Sequence, residues 1–386
     1  MADSQYPDQR EEKVPKMTKA KTIDTKNTMD LEKEMMTCTY CGFCKSVCPV
    51  FDVSNWEGVG PRGKVMLAYG LREKEIPADD SVLERIYQCT TCKNCERRCP
   101  SDIKVVDIVE NIRRDLVANN FMFSAHEQIV EKLMGTGNPY GETKKVTFKH
   151  EDKDHAKVGY FIGCTARYRF PNIANATISV LEKLGEDFTI IDDVCCGSTL
   201  QRIGWPDNLV EELMKKNLKK IKDKGVEKVV FTCAGCYKMF KKEYPKFADV
   251  PFEVKHIVQE LAEKGPKLKP LKKRITYHDP CHLGRHANIY DEPRKVIKSI
   301  PEAELVEMEL TKSAAQCCGG GGGLKAAFPE YAKEIAAKRV DQANSVKAEM
   351  MLTSCPFCVT NLNAGKDKRK SSMEIKDLIE VVDQLI

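Results

Sequence analysis

Eighteen cysteines fall in repeated groups along a chain of 386 residues, and thiolates in such numbers are first of all metal-ligating chemistry. A disulfide scaffold is the other use for so much cysteine, and it needs an oxidising compartment. The N-terminus MADSQYPDQREEKVPK has no apolar centre of the kind a secretory signal carries, so the thiols are expected to stay reduced.

Eight of the cysteines form two runs of identical spacing. Cys38, Cys41, Cys44 and Cys48 precede Pro49, and Cys89, Cys92, Cys95 and Cys99 precede Pro100. This is the signature of two-cluster bacterial ferredoxins, in which three thiolates at three-residue steps wrap one corner of a cubane and the fourth reaches the neighbouring cluster. The expected pairing is therefore crossed: Cys38, Cys41, Cys44 and Cys99 on one 4Fe-4S cluster, and Cys89, Cys92, Cys95 and Cys48 on the other. Zinc sites also use cysteines at two-residue gaps, but without the cysteine-proline ending.

The other ten cysteines split into two sets of five. The first set is Cys164 after YFIG, Cys195 and Cys196 in VCCGS, and Cys233 and Cys236 in TCAGCY. The second is Cys281 in HDPCH, Cys317 and Cys318 in QCCGGGGG, and Cys355 and Cys358 in SCPFC. Buried cysteine is a common core residue and accounts for isolated positions, not for a pattern matched twice. Gly197 and the run Gly319 to Gly323 are expected to let backbone approach a cluster and to offer N–H groups toward sulfide. A phosphate loop is the rival for that run, but it lacks the Gly-Lys-Ser/Thr ending.

These groups need elements to hold them. Each follows a short β-rich run, and such runs alternate with amphipathic helices: VGYFIG, IANATISVLEKLG, FTIID, NLVEELMKKNLKKIKDKG, KVVFT. The order repeats beyond KGPKLKPLKKR as RITYHDP, a helix near Pro293–Ser299, AELVEME, PEYAKEIAAKRVDQANS and AEMMLTS. The pattern predicts an α/β internal duplication with parallel sheets, whose strand C-terminal ends open on one side, where such folds place ligands. Ahead of it the chain is expected to be mainly α-helical, with Ser101 and Asp102 capping the helix KVVDIVENIRRDLVANN. The expected units are a mobile tail at 1–34, a two-cluster domain at 35–150, and the two α/β halves at 157–265 and 274–386. Trp56, Trp205 and the turn Gly60–Gly63 are read as packing and turn features.

Hydrophobic residues at 42% and charged residues at 31% describe a globular chain. With 62 basic and 57 acidic residues the net charge is only +5, and no basic block is interleaved with aromatics, which argues against nucleic acid as a partner. No apolar run reaches transmembrane length. A cytoplasmic protein is expected, peripheral on the cytoplasmic face of the membrane where a partner subunit docks it there.

On these residues and motifs the chain resembles the CCG-domain proteins, and from about Met35 to Ile386 it resembles the fused D-type catalytic subunit of heterodisulfide reductase in methanogenic archaea. The resemblance implies two CCG domains behind a ferredoxin-like domain. It implies two cubane 4Fe-4S clusters in the ferredoxin-like part and a noncubane 4Fe-4S cluster on each five-cysteine set, the two noncubane clusters flanking the coenzyme M–coenzyme B disulfide. It further implies an electron-donor subunit, whether a membrane cytochrome b, a flavoprotein, or a hydrogenase or formate dehydrogenase module. Related iron-sulfur subunits of glycerol-3-phosphate, glycolate and lactate dehydrogenase systems often lack some of the five cysteines. Here both sets are complete, which favours disulfide reduction over a noncatalytic electron-transfer role. Thiol-fumarate reductase subunits of this kind carry an added 2Fe-2S domain, and no cysteine precedes Cys38.

The anionic groups of that substrate call for cations near the strand ends. Arg167, Arg169, Lys238, His282, Arg285 and His286 are the candidates. His278 and His282 flank Cys281 and are the expected catalytic proton donors.

Overall fold

The helix Val105–Ala118 is the axis of the N-terminal domain, because Val105, Ile108, Val109, Ile112 and Leu116 repeat at helical spacing and are all buried. The computed structural model describes residues 20–150 and 153–386. Of the expected mobile tail, residues 1–19 lie outside the described residues. Residues 20–34 are not loose but packed on this helix, with Ile23 and Thr28 buried. The cause is the buried Asp115 carboxylate. It accepts from the Asn27 backbone N at 2.8 Å, Asn27 Nδ2 at 2.7 Å, the Thr28 backbone N at 3.1 Å and Thr28 Oγ1 at 2.6 Å.

Ser101 and Asp102 do not cap the helix as expected. Asp102 sits at a φ of +54° and pairs with Lys104 Nζ at 2.6 Å. The first-turn amides are satisfied from afar instead, Lys104 N by Glu34 Oε1 and Val106 N by Glu96 Oε1 at 2.8 Å, which ties both cysteine runs to one helix. Trp56 is not a packing residue. It is 58% exposed, with the Arg85 guanidinium 5.0 Å from its ring. Trp205 does pack, half-buried against the core.

Two parallel four-stranded sheets follow. In the first half β1 (Val158–Phe161), β2 (Phe188–Ile190), β3 (Lys228–Phe231) and β4 (Glu253–His256) lie in the order β2-β1-β3-β4, with Val158 opposite Phe188 and Lys228. In the second half β5 (Arg274–Tyr277), β6 (Glu304–Leu305), β7 (Met350–Thr353) and β8 (Glu374–Asp377) lie in the equivalent order β6-β5-β7-β8. The duplication reaches to the caps. His256 Nδ1 accepts from Val258 N, and Asp377 Oδ1 accepts from Ile379 N, each capping the helix after the last strand of its half.

The halves pack reciprocally. The helix Pro171–Lys183 of the first lies on Leu378–Leu385 of the second, with Lys183 Nζ 2.9 Å from Asp383 Oδ1, and Ile257–Lys264 of the first lies on Asp291–Lys298 of the second. Residues 137–150, expected within the helical domain, lie against the first α/β half. Gly137 O accepts from Cys195 N at 2.9 Å, Val146 O accepts from Arg167 Nη1 at 2.9 Å, and His150 stacks on Phe188 at 4.0 Å. No helix among the described residues is long and apolar enough to cross a membrane.

Candidate metal centres

In the helical domain the two cysteine runs interleave. Each run bends around a residue at positive φ, Gly42 at +83° in the first and Lys93 at +62° in the second, and each ends where proline leads the chain away. One cavity is lined by Cys38, Cys41, Cys44 and Cys99, and a second by Cys48, Cys89, Cys92 and Cys95. The fourth thiol of each run thus lines the other run's cavity. Burial holds the Cys44 and Cys48 thiols up at about 11, so they stay protonated at neutral pH unless a bound cation displaces the protons to solvent.

The five-cysteine sets form at the strand ends. Cys164 opens the short helix after β1, Cys195 and Cys196 follow β2, and Cys233 and Cys236 follow β3. Within the set the thiols neighbour one another in sequence: Cys195 perturbs and is perturbed by Cys164 and Cys196, Cys196 by Cys236, and Cys236 by Cys233. The second half repeats this contact by contact, Cys317 with Cys281 and Cys318, Cys318 with Cys358, and Cys358 with Cys355. In both halves the second cysteine of the adjacent pair, Cys196 or Cys318, accepts from its neighbours and is held well below the ordinary thiol value. A thiolate is the ligating form, and five converging thiols, most of them buried, suit an iron-sulfur cluster.

The sets also meet one another. The Cys92 thiol neighbours that of Cys317, and the Cys233 thiol that of Cys355, closely enough to perturb one another. The eighteen thiols therefore form one file: the Cys38 set, the Cys48 set, the second five-cysteine set and the first.

The two histidines fare differently. His278 is buried, one ring nitrogen lies within 4.8 Å of the thiols of Cys318 and Cys358, and its Nδ1 accepts from Arg339 Nε at 3.2 Å. Burial and the Arg339 charge push its pKa down to about 3, so the ring is neutral with its proton on Nε2. His282 Nδ1 is 3.3 Å from Cys281 Sγ, while Nε2 is buried without a partner and the ring stacks on His286 at 4.4 Å.

Most of the expected substrate cations are already engaged. Arg167 is buried against Asp193 at 2.5 Å, and Arg169 pairs with Glu142 at 2.7 Å over the Tyr140 ring. Arg285 donates to Cys92 O and Ala315 O, both at 2.6 Å, and His286 Nε2 donates to Thr91 O at 3.0 Å, so both strap the second half to the helical domain. Lys238 is buried beside Glu243, and both Lys238 and Arg202 bear electrostatically on His282. Arg202 leaves Nε and Nη2 without partners there.

The glycine run is only in part what its composition suggests. Gly319 N donates to Cys317 Sγ at 3.4 Å, but a Cβ on Gly321 or Gly322 would lie 2.8 Å from Thr90 O or 2.2 Å from Cys89 O. Its far end is a seam between domains.

Comparison with known proteins agrees with this architecture. Residues 158–241 and 275–363 match the cysteine-rich CCG domain, and residues 34–103 match a 4Fe-4S dicluster domain. The chain is 37% identical to the D-type subunit of the dihydromethanophenazine:CoB–CoM heterodisulfide reductase of Methanosarcina acetivorans, over 95% of this chain and 98% of that protein. It is 38% identical to the Methanosarcina mazei protein of the same name, over 94% and 97%. A subunit of the CoM/CoB fumarate reductase of Methanothermobacter marburgensis is 33% identical over 91% of this chain, which spans 72% of that protein. Among solved structures, a hypothetical protein from Helicobacter pylori superposes with a TM-score of 0.60 at 11% identity, over 92% of this chain and 74% of that one, a likeness of fold.

Proposed function

The chain belongs to the D-type family of heterodisulfide reductase subunits, and from that premise we propose that it reduces the coenzyme M–coenzyme B heterodisulfide with electrons relayed from a donor subunit. The observation that carries the reading is the contact of Cys233 with Cys355, which sets two complete five-thiol groups edge to edge at the mouths of facing sheets. Two cubane 4Fe-4S clusters held by the two four-cysteine sets and two noncubane clusters held by the five-cysteine sets would supply the one-electron chemistry for cutting the disulfide.

The residues divide the remaining work. Cutting the disulfide takes two electrons and two protons and yields two thiols. His282, with one nitrogen at Cys281 and the other without a partner, is the better placed proton donor. His278, held by Arg339, orients its N–H toward Cys318 and Cys358. Arg202, whose Nη1 pairs with Glu110 but whose Nε and Nη2 are buried without partners near His282, offers donors for an anionic end of the substrate. The donor subunit docks at the Cys38 set, where Cys41 is exposed and the flanking Met36, Tyr40 and Phe43 present apolar surface. A chain docked in this way would be peripheral, on the cytoplasmic face of whatever membrane its donor occupies.

The test is reduction of the heterodisulfide by the iron-replete chain with a reduced viologen dye. Turnover is the expected result. None, at full iron content, would leave a noncatalytic electron-transfer subunit of a glycerol-3-phosphate, lactate or glycolate dehydrogenase complex as the reading.

A further inference from the structure

The turn Gly60–Lys64 sends one cation into each cavity of the helical domain. It opens the helix Pro61–Arg72 with proline in the first turn, and it is drawn so tight that a Cβ on Gly63 would lie 2.4 Å from Glu57 O. Arg62 and Lys64 consequently leave the same half-turn in different directions. Arg62 lines the cavity of Cys38, Cys41, Cys44 and Cys99, and Lys64 lines that of Cys48, Cys89, Cys92 and Cys95.

The two cations are not equivalent. Arg62 is a quarter exposed, pairs with Glu57 at 2.7 Å and donates to Tyr40 O at 2.6 Å, so an acid beside it cancels much of its field. Lys64 is 2% exposed and its ammonium donates to Val59 O. Among the described residues no carboxylate pairs with it. Burial and the nearby Arg113 disfavour its charge, while the thiols of Cys48, Cys89 and Cys95, which line the same cavity, favour it.

We infer that Lys64 is a tuning residue: its uncompensated buried charge holds the reduction potential of the inner cubane, on Cys48, Cys89, Cys92 and Cys95, above that of the outer one. The inference rests on the reading of both sets as cubane ligands. Cluster potentials follow the net charge and solvent exposure around them, and a buried charge acts through a lower dielectric than an exposed, paired one. The higher potential then lies next to Cys317 of the second half, and the gradient runs inward from the exposed face.

The experiment is a potentiometric titration of the full, iron-replete chain followed by EPR, for wild type, Lys64→Met, Lys64→Gln, Lys64→Arg and Arg62→Gln. A Cys41→Ala background, lacking an outer ligand, isolates the inner signal. In K64M and K64Q the inner midpoint is expected to fall enough to lower the ratio of reduced to oxidised centre at least tenfold at a fixed solution potential, about 59 mV for one electron. K64R keeps the wild-type inner midpoint, and R62Q moves the outer midpoint less than K64M moves the inner. An unshifted inner midpoint in K64M or K64Q with full iron and sulfide overturns the tuning role alone. A wild type without a second cubane overturns the ligand assignment and the tuning role together. Failure of heterodisulfide turnover touches neither.

Discussion

Arg113 Nη1 donates to the carbonyl of Gly322 at 2.8 Å, although 209 residues separate the two in the chain. The same guanidinium donates to Arg202 O at 2.6 Å, to Ile86 O and Tyr87 O at 3.1 Å and to Cys89 O at 3.0 Å, with its face 4.7 Å from the Tyr87 ring. One fully buried side chain thereby joins the helical domain, the first α/β half and the second. It does so beside Cys89 and close to the Cys317–Cys318 pair, where the thiol sets of different domains must meet.

Replacing Arg113 with methionine keeps much of the volume but leaves five buried carbonyls without that donor. A loss of about 3 to 5 kcal/mol of stability is expected, the range for removing one partner from a buried charged network. Thermal unfolding followed by circular dichroism, alongside release of iron, measures it. A midpoint unchanged within a degree would mean that the three units are held by their apolar seams alone.

Crossed ligation gives a prediction that zinc or uncrossed schemes do not share. Cys99→Ala lies in the second run yet is expected to damage the centre built on Cys38, Cys41 and Cys44, while Cys48→Ala damages the one on Cys89, Cys92 and Cys95. Each variant should lose about four of about sixteen irons, with opposite cubane signals surviving in EPR. Loss of the same signal in both variants would refute the crossing.

The cysteine groupings were legible in sequence because each depends on short spacing and, in the two α/β halves, on a strand end, both local properties. The central strands were legible for the same reason. β4 and β8 were not, since EVKH and EIKD each turn two of four residues at least partly toward solvent and carry no apolar run. Arg113 left a faint trace, a cation four residues after Val109 and three before Leu116 on an otherwise buried stripe. What it bonds to, five carbonyls from three segments, is set only when the segments meet. Lys64 is similar: GPRGK reads as a turn, and only the fold shows that its last residue is buried against thiols. The packing of residues 20–34 depended on Asp115, whose partners lie almost ninety residues upstream.

Gly322→Ala tests the domain seam directly. The position has a φ of +65°, and the added Cβ would press to 2.2 Å from Cys89 O, backbone that cannot yield without moving the cysteine run. Left-handed strain alone is about 1 to 2 kcal/mol, and overpacking adds to it. Urea unfolding should show a loss of at least about 2 kcal/mol. Gly185→Ala, also at positive φ but with nothing within 4 Å of its Cβ, should show the strain without the clash.

His126 predicts a pH dependence. It is buried between the Tyr87 and Phe123 rings, with Nε2 donating to Gly323 O at 3.0 Å, and burial pushes its pKa from 6.5 down to about 4. Between these two values the unfolded chain binds the proton and the folded one does not, so stability rises with pH across that window. The contribution is complete above about pH 6.5 and is lost as pH falls toward 4, at most about 3 kcal/mol. Denaturant titrations from pH 7 to 4.5 on wild type and His126→Leu should diverge in slope, the variant being flatter. Parallel slopes would show that His126 does not carry the effect.

The last prediction concerns the meeting of the two five-thiol sets. Under the proposed disulfide reduction, with two sulfurs to reduce and each cluster passing one electron at a time, both sets are required at one bond. Cys233 and Cys355 are the residues through which they touch. Cys233→Ser is expected to cost the first half its share of the iron while leaving both cubanes and the second half reducible by dye, because Cys92 reaches Cys317 without passing through the first half. Heterodisulfide turnover should then fall at least a hundredfold, and Cys355→Ser should match it. Iron analysis, dye-reduced EPR and turnover on one preparation separate the outcomes. Substantial turnover from a chain whose first-half cluster is absent would mean that one set suffices, and the paired geometry would need another explanation.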